Sequence, residues 1–78
     1  MRLVYSFETR VGIFYIGRSK DGRWHPIFED ESLGSYHSAA AALDDLVGGH
    51  TFSLPRGIDS SKVGLPNELA EWDRVGHA

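Results

Sequence analysis

Apolar and polar residues change their spacing repeatedly along this chain, and each change predicts an element. In Arg2–Glu8, Leu3, Tyr5 and Phe7 alternate with Arg2, Ser6 and Glu8, the period of two expected of a half-buried strand. After a short connection at Thr9 and Arg10, residues 11–18 (VGIFYIGR) are apolar on both faces and read as a central strand. Gly12 and Gly17 there read as bulges or points of close backbone approach. Ser19-Lys20-Asp21-Gly22 is the clearest turn signal, because Asp-Gly supplies the positive φ of a tight hairpin. Residues 23–29 (RWHPIFE) predict a third strand with one side free at Pro26, which has no N–H to donate.

The stretch FEDESLGSY, residues 28–36, follows. Its acids predict a solvated hairpin tip, and Leu33–Tyr36 reads as a short fourth strand. The spacing then shifts to that of a helix. Ser38 is a good N-cap, and Ala39, Ala42, Leu43, Leu46 and Val47 share one face, opposite Ala40, Ala41, Asp44 and Asp45. Gly48-Gly49 predicts the stop. His50–Leu54 alternates like a further short strand, and residues 55–61 are rich in turn formers. Pro66 suits a first helical position, and Leu69, Trp72 and Val75 predict a short C-terminal helix docked through Trp72. The expected fold is α+β: one domain over residues 1–78, with a three- to four-stranded antiparallel sheet, one central helix packed on it, and that terminal helix.

Composition narrows the function. With 78 residues the chain has little stability to spare for a deep, strained pocket. It has no cysteine, which excludes disulfides and thiolate metal sites. No apolar run approaches the ~20 residues of a membrane span, and MRLVYSFETR lacks a signal-peptide core. These features predict a cytoplasmic protein with no membrane partner. The net charge of −3 is unevenly spread. Residues 1–25 hold five basic residues against two acids, a balance of +3, whereas residues 26–78 hold three against nine, or −6.

No candidate chemistry has a strong signature. His25, His37, His50 and His77 form no HxxxH or HExxH pair, so no metal and no cofactor are expected. His37, Ser38 and Asp44 are the residue types of a triad, yet Ser38 is better explained as a cap. The carboxylates would need desolvation to hold a proton near neutral pH, which a hairpin tip and an exposed helix face oppose. A non-catalytic protein is therefore expected. The leading reading is binding to another protein with a basic surface through Glu29, Asp30, Glu31, Asp44 and Asp45, joined by the acids of residues 68–73 if these surfaces converge. An exposed strand edge offers a route to a homodimer. The alternative is single-stranded nucleic acid on an aromatic and basic sheet face, with Arg18, Lys20, Arg23 and Trp24 as the contacts.

The strand order followed by Tyr36-His37-Ser38 and a helix carrying Ala42, Leu43 and Leu46 resembles the opening of HicB-type antitoxins over about residues 2–48. The Pro-Asp-x-Pro-Gly segment of that family is absent, so neither toxin neutralisation nor its residues carry over. The fuller pattern GRWHPIFEDESLGSY…AALDDLVGGHTF…GLPNELAEW resembles small uncharacterised bacterial and mobile-element proteins, which implies no activity. Small acidic anti-CRISPR proteins share the size and charge without a shared motif. A narrower expectation is an inhibitor that blocks a basic groove in its target.

Overall fold

The computed structural model describes residues 1–51 and 54–77. The fold is α+β, and the described residues form strands β1 (Arg2–Thr9), β2 (Gly12–Arg18), β3 (Trp24–Phe28), β4 (Glu31–Ser32) and β5 (Asp73–Arg74) and the α-helix α1 (Ala39–Gly48). The strands form one antiparallel sheet in the order β4-β3-β2-β1-β5. No helix among the described residues is long and apolar enough to cross a membrane.

The N-cap of α1 is Ser38, whose Oγ accepts the Ala41 amide at 3.0 Å. Gly49 closes the helix in the left-handed conformation at φ 77°, which glycine adopts without a Cβ penalty. Ala42, Leu43 and Leu46 face the sheet, and the alanine lets the helix lie close. Beneath it, Phe14, Ile16 and Phe28 are buried, and Phe14 and Phe28 meet with ring centroids 4.7 Å apart. Each such side chain contributes roughly 1.5–3 kcal/mol by leaving water. Trp72 extends this core against Phe7, at 5.8 Å between centroids, and its Nε1 donates to the Pro66 carbonyl at 3.0 Å.

In four places the structure departs from the simple alternation. First, the β1–β2 register shifts between Leu3 and Tyr5, so Val4 is fully buried and Leu3 is 39% exposed. A bulge reverses which face a side chain takes, and two adjacent apolar residues hide the switch. Second, β4 is only Glu31–Ser32, and the chain rejoins the sheet as a single bridge at Tyr36 and Trp24. The gap lies beside Pro26, which has no N–H for the ladder. The Gly34 carbonyl accepts instead from His25 Nδ1 at 2.7 Å and Ser32 Oγ at 3.0 Å.

Third, the C-terminal helical stretch is one 3-10 turn, Leu69–Glu71, after which residues 73–74 add a fifth strand to β1. Trp72 docks as expected, but in extended backbone at ψ 153°. Fourth, the alternation at 50–54 falls partly on Phe52 and Ser53, outside the described residues. Beyond it are two 3-10 turns, Pro55–Gly57 and Ser60–Lys62, and the second is tied to α1 by buried Ser60, whose Oγ donates to the Leu46 carbonyl at 2.6 Å.

Candidate functional site

The five predicted partner-binding acids occupy three separate settings. Glu29, Asp30 and Glu31 form the β3–β4 tip and are exposed, as a solvated turn requires. Glu29 sits at φ 58°, a left-handed backbone that costs a non-glycine residue about 1 kcal/mol. Asp44 and Asp45 are adjacent in α1, and a helix turns about 100° per residue, so they part to different flanks. Asp45 is half-buried and accepts the Tyr36 hydroxyl, whereas Asp44 is exposed beside the C-terminal segment.

Asp44 helps to line a groove of about 420 Å³ between α1 and residues 67–70. Ala40, Ala41, Leu43, Leu69 and Ala70 give it apolar walls, and Glu68 supplies a second carboxylate. The structure therefore brings one predicted acid, Asp44, together with Glu68 from the C-terminal acidic stretch. The tip acids are not part of that lining. A groove with apolar walls and two carboxylates suits a long cationic side chain, whose stem is apolar and whose head is charged.

Tyr36 carries the pH dependence of this region. Burial, and then the hydrogen bond and charge of Asp45, raise its hydroxyl above the usual tyrosine range. The protonated phenol is thus favoured in the folded state. Its contribution is complete below the unfolded tyrosine value of about 10, and it is lost as pH rises through the folded value. Thermal melts from neutral to alkaline pH are expected to fall more steeply for the parent chain than for Tyr36→Phe. Parallel curves for the two would show that the contact carries no such dependence.

The alternative set of residues divides as well. Phe14 and Phe28, which an aromatic platform for bases would need, are 0% and 1% exposed under α1. Arg23 is turned aside: its Nε donates to Ser35 Oγ at 2.8 Å and its Nη2 to the Ser35 carbonyl at 2.9 Å. Trp24 remains half-buried, with the Arg18 guanidinium 5.5 Å from its ring centre. Arg18 and Lys20 do come together, in a cleft of about 330 Å³ also lined by Arg2, Ser19 and Gly22.

Among the described residues no group of three or more His, Asp or Glu side chains is placed to hold a metal ion. His25 joins a polar network that the sequence pattern did not reveal. Its Nδ1 must carry a proton, because the Gly34 carbonyl only accepts, and its Nε2 lies 3.1 Å from Ser19 Oγ. The single Ser19 hydroxyl proton is directed to Asp21, with the Arg23 carbonyl at 3.1 Å as a second acceptor within its reach. The hydroxyl is thereby committed to closing the turn, and its bond is the main reason that the Asp21 carboxyl titrates below the usual range. The chain matches no family model, no curated protein and no solved structure.

Proposed function

We propose that this protein is a non-catalytic binding module that receives a lysine or arginine side chain of another protein in the groove between α1 and residues 67–70. The observation that carries this reading is the placement of Asp44 and Glu68 in one groove with apolar walls. The walls cover the aliphatic stem, and the carboxylates take the charged head through charge-assisted hydrogen bonds. The exposed acids at 29–31 act at longer range, steering a basic surface toward the molecule and away from acidic ones. In its narrower form the module is an inhibitor that fills a basic groove of its target.

A short lysine- and arginine-containing peptide serves as the probe, followed by amide NMR shifts. Saturating shifts are expected at Ala40, Ala41, Asp44, Leu69 and Ala70. The double reversal Asp44→Lys, Glu68→Lys is expected to weaken binding by roughly a hundredfold or more, since contacts to charged groups contribute about 1.5–3 kcal/mol each. Reversing Glu29, Asp30 and Glu31 is expected to lower the association rate and its salt sensitivity while leaving the groove shifts in place. Unchanged affinity in the groove double variant refutes the assignment.

A further inference from the structure

We infer that the cleft between the start of β1 and the β2–β3 turn binds a phosphate-bearing anion. The site shares no lining residue with the acidic groove and does not depend on it. Arg2 and Arg18 are paired directly opposite each other on β1 and β2. Like charges in that position repel, so the sheet keeps there an arrangement that is unfavourable on its own. Lys20 adds a third cation to the same cleft. The nearby Asp21 carboxylate keeps its charge but is engaged within the turn, accepting from Ser19 Oγ and from the Arg23 amide at 3.2 Å.

Two of the three cations are also held in place. Arg18 lies over the Trp24 ring, and its Nη2 is 3.6 Å from where a Cβ on Gly22 would stand. A guanidinium positioned over an aromatic face has already given up much of the freedom it would lose on binding. Arg2 Nη1 donates to the His77 carbonyl at 3.3 Å, which uses one of its five N–H donors. Two planar forks and one ammonium offer more donors than a single carboxylate can accept. A group with three or more anionic oxygens matches them, and about 330 Å³ admits a phosphate or a diphosphate.

That chemistry has two sources, a free oligophosphate or the phosphodiester backbone of a single strand, and one titration with two arms separates them. Sodium pyrophosphate and a short oligothymidine are added separately to the labelled chain, and amide shifts are followed. Saturating shifts at Arg18, Ser19, Lys20 and Gly22 are expected in at least one arm. A preference for pyrophosphate assigns the free anion. A preference for the oligonucleotide, with a logarithmic salt slope of about −2 for three contacts, assigns the backbone. Arg18→Gln is expected to weaken binding roughly tenfold or more. Lys20→Gln, at an exposed turn position, gives the same test should the arginine variant disturb the sheet. The inference is overturned if neither probe gives saturating shifts at millimolar concentration, or if these variants bind as the parent does.

Discussion

Phe14→Ala is expected to cost about 3–5 kcal/mol of stability, the range for emptying a fully buried phenylalanine site. The ring is 0% exposed, sits on the central strand, and meets both Phe28 and the buried face of α1. Neighbours on two strands and a helix cannot all collapse into the space it leaves. A chain of this length has only about 4–12 kcal/mol in total, so the variant should lose a large share of its stability. Denaturant unfolding followed by tryptophan fluorescence reads the loss directly. Phe14→Leu, which keeps most of the volume, should fall between variant and parent. A midpoint for Phe14→Ala near the parental one would show that this ring is not central to the core.

Gly76→Ala is expected to detach the C-terminal strand although the substitution adds one methyl group. A Cβ at this position would lie 2.2 Å from the Leu3 carbonyl oxygen, a contact that only backbone movement relieves. The amides of Val75 and Gly76 both donate to the Val4 carbonyl, at 2.8 and 3.3 Å, so the chain is drawn tight against the bulge in β1. Moving it forfeits those bonds and the pairing of Tyr5 with Arg74 and Ser6 with Asp73. A loss of roughly 1–3 kcal/mol follows. Hydrogen exchange should accelerate at Asp73 to Gly76, with the β2 and β3 amides affected far less. Unaltered protection at those four residues would mean that the strand tolerates the side chain. Glu68 and Leu69 lie just before this strand, so its release should also weaken the peptide binding proposed for the groove.

The elements with local chemical punctuation were legible in the sequence. Asp21-Gly22 announces its turn, Ser38 and Gly49 bracket α1, and the spacing of Ala42, Leu43 and Leu46 orients it. Features that depend on a distant partner were not legible. The bulge at Val4 lies where β1 pairs with β2 on one edge and meets the arriving C-terminal strand on the other. A two-residue strand such as Asp73–Arg74 has too few side chains to show a period, and its conformation is set by the carbonyls it meets.

The candidate sites divide along the same line. That the acids at 29–31 stay in water follows from their position in a turn. That Asp44 and Asp45 separate follows from helical geometry, which a listing of adjacent acids conceals. The meeting of Asp44 with Glu68, and of Arg2 with Arg18, needs tertiary contact or strand register. No local pattern encodes either.

Helix α1 has no acidic residue in its first turn and no basic residue in its last, and Asp44 and Asp45 lie toward its negative end. At ten residues it is also below the length at which an isolated helix holds in water. The segment therefore owes its existence to the pleated surface on which it rests. Anything that loosens that surface dissolves the helix with it, and the acidic groove then vanishes as a unit instead of wearing away residue by residue.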